Sequence, residues 1–497
     1  MRKLFSNLNY SFSKFWFKLK HFWVRFWKSK EMLKKILFTL ILLSIYIVAT
    51  TITAPFVKLN NSNELSNDAF FNTLNLVGGG GLKSFSLVAL GISPFINASL
   101  IMSLLQTRAF PAVQKLSQSG PQGRRKLNII TRILTLIIAF PQAILLTKSL
   151  AFGENPFIRL EPITGTVSSL GVTTYFILPM ILIGGSLFSL FIAEQITNKG
   201  IGNGTSLIIF VGISFQLPGQ FKGAFNYFVG SDSSTTQFVG ALKFLTYLFV
   251  YASLLFVIAL IYNSERHVPI QQIGAGRSRN LNEMGKLPIK LNPGGIMPII
   301  FATMLISFPL MIARILPDTN SAKLWMNENL NFTKPLGLSL LVVITFFFSF
   351  IMGIQQSRVD KISEDFAKNS TFIPGIQPGE QTEDYLIGIV MRLSTFSGFY
   401  LVLLASWQYL MIIVLKLPAV IAFGGTGMMI LVTVSLETIQ QFLARKKTTK
   451  LAKQKLLSRA VSEKIAFENK YKEVDPFDTD SKQDKNITKT NGDGLLW

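Results

Sequence analysis

The chain has 497 residues, 49% of them hydrophobic and only 15% charged, with a formal net charge of +23. That balance excludes an ordinary soluble globular domain and fits a multi-span membrane protein, whose cytoplasmic loops carry an excess of Lys and Arg. Cysteine is absent and His21 and His267 are the only histidines, which excludes a disulfide framework, a thiolate metal site and most imidazole chemistry.

The chain opens on a basic, aromatic stretch. Phe15, Trp16, Leu19, Phe22, Trp23, Phe26 and Trp27 recur at helical spacing, with Lys14, Lys18, His21, Arg25 and Lys28 on the adjoining face. This pattern reads as an interfacial amphipathic helix; the plainer alternative is a basic flank that only fixes orientation. No small-residue cleavage pattern follows the first apolar run, so the start is not read as a secretory signal.

A bilayer core of ~30 Å asks for about 20 apolar residues per helix. Ten runs qualify: 35–55, 92–107, 128–150, 173–196, 204–218, 239–262, 296–316, 336–355, 385–413 and 418–442, with 92–107 and 204–218 short. An even number of spans puts both termini on one side. The segments 1–35, 106–126, 263–292 and 443–459 are strongly basic, whereas 56–91, 151–172, 219–238 and 317–335 are sparse and mixed in charge. Both termini are therefore expected in the cytoplasm. Residues 443–471 read as a basic helical arm extending the last span, and the polar stretch from Lys472 on as disordered.

The ionisable residues within or beside the spans, Arg132, Glu194, Lys243, Arg314, Arg392 and Glu437, fall near predicted span ends, where they can snorkel. No HExxH, Gly-x-Ser-x-Gly or GxxxxGK[ST] pattern occurs, so the chain is read as a non-enzyme needing no metal or cofactor. Two spans start on broken sequence. Gly91-Ile92-Ser93-Pro94 leads into the second, and Asn292-Pro293-Gly294-Gly295 with Pro298 leads into the seventh. These are the second span of each five-span half, the echo expected of an inverted repeat, and broken backbone at membrane depth lines a cavity or is buried in protein. Ordinary proline kinks are the alternative.

Five blocks then carry a family resemblance: ALGISPFINASLIMSLLQ (90–106), AEQITNKGIGNGTSLIIF (193–210), NPGGIMPIIFA (292–302), FIPGIQPGEQT (372–382) and FGGTGMMI (423–430). Over roughly residues 34–445 the chain resembles the SecY family, the channel subunits of protein translocases. The resemblance implies an all-α multi-pass fold of ten transmembrane helices in two pseudo-symmetric inverted five-helix halves, with a re-entrant plug helix. It implies a protein-conducting channel in the plasma membrane that passes unfolded polypeptides across and releases hydrophobic segments sideways into lipid. The implied partners are SecE-like and SecG-like small membrane subunits, a SecA-like motor ATPase, the ribosome with its rRNA, signal peptides, nascent polypeptides and membrane lipids.

Carried over by motif position, the pore ring is Ile92, Ile96, Thr205, Ile209, Ile300 and Ile430. The lateral gate includes Asn97 and Leu100 facing Phe308, and the plug is a short helix over 67–90 kept weakly held by Gly78, Gly79, Gly80 and Gly81, read as a helix start. A ring of branched alkyl side chains fits around varied polypeptides and resists ions by dewetting. Two positions depart from the family pattern. Thr205 stands where Ile is usual, and its hydroxyl is expected to wet the ring; Gln377 stands where Arg is usual in the motor-docking loop. Partner docking is expected at Arg277 and Arg279 and at Gln377, Pro378 and Gly379.

The resulting division is 1–33 (basic segment), 34–218 (first half with the plug), 219–262 (external loop and sixth helix), 263–292 (docking loop), 293–355 (seventh and eighth helices), 356–384 (second docking loop), 385–445 (ninth and tenth helices) and 446–497 (tail). The competing reading is a secondary solute transporter with inverted repeats.

Overall fold

The computed structural model describes residues 30–60, 75, 78–106, 110–151, 156–161, 169–230, 234–272, 285–313, 316, 320–419 and 421–472. The aromatic N-terminal stretch, plug residues 67–74 and 76–77, Arg277, Arg279, Arg314 and the tail beyond Lys472 lie outside these.

The chain divides into two units, Met1–Ile439 and Gln440–Trp497. In the first, α1 (Lys30–Thr51) leads through β1 (Val57–Leu59) and the glycine-rich segment to α2 (Ser93–Leu105), α3 (Pro111–Gln118) and α4 (Gly120–Ala151). After β2 (Ile158–Leu160), a π-helical turn at Thr173–Ile177 opens into α5 (Leu178–Lys199), followed by α6 (Gly204–Val229) and α7 (Ser234–Asn263). The hairpin β3 (Glu265–Gln272) and β4 (Gly285–Lys290) precedes α8 (Met297–Ala313), α9 (Ser321–Asn329) and α10 (Pro335–Ser357). Then come α11 (Val359–Lys368), β5 (Thr371–Phe372), α12 (Glu380–Leu415) and α13 (Gly425–Lys472), whose residues from Gln440 form the helical part of the second unit.

Among the described residues, eight helices are long and apolar enough to cross a membrane, namely α1, α4, α5, α6, α7, α10, α12 and α13. Two shorter apolar helices, Ser93–Leu105 and Met297–Leu310, hold the second and seventh places. Their shortness has a local cause. Pro94 stands at the start of α2 with Ile92 as its N-cap, and Gly91 before it has φ +53°. Gly295, ahead of α8, has φ +59°. A proline in the first turn costs a helix nothing, while a left-handed residue just before it stops any earlier helix from running through. The apolar run at 204–218 is extended by the structure: α6 continues through Pro218 and Gly219 to Val229. Pro218 loses one ladder hydrogen bond, but packing on α5 and α7 carries the helix past it.

The glycine run departs from expectation. Asn75 and Gly78 are helical, but none of residues 79–92 is, and Ser86 among them bridges to Thr53, so no helix begins at the run. Gly79 and Gly80, at φ +90° and +94°, take a conformation that stops a right-handed helix. The segment beyond is stitched to the end of α1: Ala54 N–H donates to Phe85 O (2.9 Å), Leu87 N–H to Ile52 O (3.0 Å) and Ser84 Oγ to Thr50 O (2.6 Å). Phe85 is wholly buried there at φ 40°, a strained conformation for an aromatic residue. The loop closes where Gly91 meets Gly78. A Cβ on Gly91 would fall 1.6 Å from the Gly78 carbonyl oxygen, so no other residue fits.

β3, β4 and β5 form a three-stranded sheet in the order β4-β3-β5. Gln271 pairs with Phe372 and Gln272 with Thr371, which joins the two segments read as separate docking loops. Val268, Val359, Ile373, Leu386, Ile389, Val390 and Leu393 give that region a small apolar core of its own.

Candidate functional site

Five of the six expected ring residues meet. Ile92, Ile96, Ile209, Ile300 and Ile430 belong to one buried apolar cluster, fed by the N-cap and first turn of α2 and by α6, α8 and α13. All five are buried, Ile92 completely. Leu100 of the expected gate joins the same cluster, as does Val88 from the glycine-rich segment. Branched side chains from four separate helices thus fill the centre of the first unit with no polar atom of their own.

Thr205 stands apart from that cluster. Its Oγ1 donates to Asn203 Oδ1 (2.8 Å), and its backbone N–H donates to the same oxygen (3.3 Å). Asn203 is the N-cap of α6, so the hydroxyl that would wet the ring is consumed in the cap. An Asn203→Ala variant removes the cap and the hydroxyl's acceptor together. It is expected to cost about 1 kcal/mol of stability, read as a lowered melting temperature of the purified protein.

The seam between the halves runs along α2 and α4 on one side and α8 on the other. Leu100 meets α8 through the cluster it shares with Ile300, Phe301 and Met304. Asn97 is half-buried, whereas Phe308, 56% exposed, points away from the core. Polar groups invisible to sequence reasoning line this seam. Gln142 Nε2 on α4 donates to Ser93 Oγ (3.1 Å) within the first half, and Gln355 Nε2 on α10 donates to Ser103 O on α2, which ties the halves together. In the second half, Ser397 Oγ donates to Asn292 Oδ1 (2.6 Å), Asn292 Nδ2 to Gly295 O (3.0 Å) and Gln356 Nε2 to Gly294 O (3.0 Å). These bonds satisfy the backbone that Pro293 and the two glycines leave broken before α8. The signal for them was the Asn-Pro-Gly-Gly sequence, but their partners lie on other helices. Arg132 and Glu194, read as separately snorkelling, pair with each other at 2.7 Å between α4 and α5.

At the second docking loop, Gln377 and Pro378 are exposed. The turn beneath them is stiff: Thr382 Oγ1 donates to Gln377 O (2.8 Å) and Ser363 Oγ to Gly379 O (2.6 Å), with Gly379 at φ +114°. Beside the turn is a hollow of about 480 Å³ whose lining includes Asp360, Glu364, Glu380, Glu383 and Asp384.

Comparison with known proteins gives the same picture. The SecY family model matches residues 86–439. The protein translocase subunit SecY of Mycoplasma capricolum is 36% identical over 425 residues, 84% of this chain and 88% of that protein. The Bacillus subtilis subunit of the same name is 32% identical over 419 residues, 84% of this chain and 95% of that protein. Among solved structures, one described as a protein conducting channel aligns at a TM-score of 0.59 and 18% identity, covering 84% of this chain and 94% of the other. A structure of Sec61 in the canine ribosome-channel complex aligns at 0.54 and 18%, with the same coverage. At that identity the structural matches speak for the fold.

Proposed function

This chain belongs to the SecY family, and from that premise we propose that its buried isoleucines form the constriction of a protein-conducting channel. Unfolded polypeptides cross the membrane through it, and hydrophobic segments leave sideways between α2 and α8. The observation that carries this reading is the single apolar cluster of Ile92, Ile96, Ile209, Ile300 and Ile430, contributed by four helices and touched by Val88 of the plug segment. A seal made only of alkyl groups has no charge to trap a passing chain and no fixed polar group to select one. The relatives named above are translocase subunits, so the solute-transporter alternative is set aside.

On this reading the chain is a channel rather than a catalyst and is driven by partners. A motor ATPase or a ribosome docks on the sheet-linked loops around Gln377 and Pro378 and at Arg277 and Arg279, and SecE-like and SecG-like subunits complete the complex. Both termini lie in the cytoplasm, as the basic segments require. The loss of the usual Arg at Gln377, beside a hollow rich in carboxylates, makes this docking surface less basic than the family pattern.

The absence of cysteine makes the path easy to map. A stalled secretory chain carrying one cysteine is expected to form disulfides with Ile92→Cys, Ile300→Cys and Ile430→Cys channels. It should form none with Leu403→Cys, which lies on the exposed face of α12. Crosslinking to Leu403→Cys with the three ring positions silent would place the path elsewhere.

A further inference from the structure

α1 is an apolar helix with one large polar group in its buried face. Tyr46 is 1% exposed and sits in the same cluster as the ring isoleucines. Its hydroxyl donates to Gly79 O (3.1 Å) and lies 3.4 Å from Gly78 O. Both carbonyls belong to the turn at the glycine run. We propose that Tyr46 is the clasp of the plug: its hydroxyl, held on the wall of the channel, grips the backbone of the Gly78–Gly79 turn and keeps the resting channel shut. The proposal rests on the channel reading above.

The fit is specific to these residues. A Cβ on Gly79 would stand 2.4 Å from the Tyr46 hydroxyl oxygen, and its φ of +90° already disfavours any side chain. Behind the turn, Gly212 of α6 comes so close that a Cβ there would fall 2.4 Å from the Gly79 carbonyl carbon. The turn is therefore wedged between α1 and α6, with glycine on both sides of the α6 contact. Asn75, fully buried, folds the turn on itself. Its backbone oxygen accepts from Gly80 N–H (2.9 Å), and its Oδ1 accepts from Leu82 N–H (3.0 Å) and Lys83 N–H (3.3 Å). Those bonds move with the turn. The bonds from Tyr46 instead join the turn to the wall and break when it leaves.

Physical reasoning gives the clasp a distinct task. Contact between the plug segment and the isoleucine ring is apolar, and apolar contact has no direction. Any hydrophobic segment entering the ring could displace such a plug as readily as a signal peptide. A hydrogen bond in an apolar surround is directional and strengthened by the low local dielectric. It fixes where the plug seats and adds a cost to leaving that apolar competition alone does not remove. That cost is modest, because the carbonyls it frees can turn to water on the outer side. The balance suits a stopper that must hold at rest and yield to substrate.

The test is Tyr46→Phe, which keeps the ring and its packing and removes only the hydroxyl. In the complex containing the full chain, fused to planar bilayers, resting channel openings are expected about 3- to 10-fold more often than in wild type, the range set by one net buried hydrogen bond. Gly79→Ala, which pushes the same contact apart from the plug's side, is expected to leak in the same direction. The double variant should leak no more than the leakier single variant, because both remove one interaction. Ile300→Ser in the same bilayers reports on the ring itself. Leak from Ile300→Ser with wild-type behaviour in Tyr46→Phe overturns the clasp and leaves the channel reading standing. Silence in all variants removes the channel reading beneath it. Fully additive leaks of the two clasp variants would show separate effects and also overturn the proposal.

Discussion

Replacing Ile92, Ile96, Ile300 and Ile430 together with serine is expected to raise the resting ion conductance of the reconstituted channel by about 100-fold or more. The four side chains are buried in one cluster with Ile209. Burying one such side chain is favourable by about 1.5–3 kcal/mol relative to leaving it in water. A dry constriction excludes ions because water does not enter it, so the barrier scales with the apolar area facing the axis. Exchanging four alkyl groups for hydroxymethyl groups removes several kcal/mol from the cost of wetting. About 3 kcal/mol is enough for the stated factor. Single replacements should leak less than the set, since four isoleucines, Ile209 among them, still close around the gap. Thr205→Ser should change little, because the Thr205 hydroxyl is already held by Asn203. Currents in planar bilayers at low voltage, without substrate, check all three. Wild-type conductance in the fourfold variant would refute the assignment of the ring.

The order of spans was legible because each apolar run is long and its borders carry charge. That Ile92, Ile96, Ile300 and Ile430 share one buried cluster was foreshadowed by motif position, since each lies within a conspicuous block. What stayed hidden depended on contacts between distant residues. The pairing of Gln271 with Phe372 joins strands about a hundred positions apart, and β5 has only two residues, too few for any alternating pattern. The bond from Gln355 to Ser103 joins helices of different halves, and a glutamine near a helix end reads locally as one more polar flank. The glycine run was read in the wrong direction. Glycine weakens a helix at either end, and only the positive φ of Gly79 and Gly80 shows that this one stops there. Thr205 was read as a weak point because composition cannot show that the preceding Asn203 consumes its hydroxyl. The apolar run at 204–218 ends before α6 does, because Gln220, Lys222 and Asn226 interrupt the apolar pattern while the helix runs on to Val229.

Joining Asn97→Cys to Phe308→Cys is expected to stop export almost completely under oxidant and to restore it under reductant. The chain has no other cysteine, so the pair can form only with itself or with a partner's thiol. Leu100, one turn beyond Asn97, belongs to the apolar cluster that holds Ile300 and against which Phe301 and Met304 pack, and the two helices are in contact. Phe308 is the more exposed member, 56% open. A disulfide needs Cα atoms about 4.4–6.8 Å apart, so it forms only in the closed seam and then cannot stretch. Unlike the clasp at Tyr46, which raises the threshold for opening, this bond forbids separation of α2 from α8. The residual transport should equal the uncrosslinked fraction measured on the same sample. The measurement is protease protection of a precursor in vesicles, with crosslinking scored by non-reducing gel after cleavage between the halves. Secretion and sideways release are expected to fail together, because both require α2 and α8 to part around the ring. Normal translocation through fully crosslinked channels would mean that the exit does not run between Asn97 and Phe308. Loss of membrane insertion alone, with secretion intact, would show that the ring can widen while the seam stays shut.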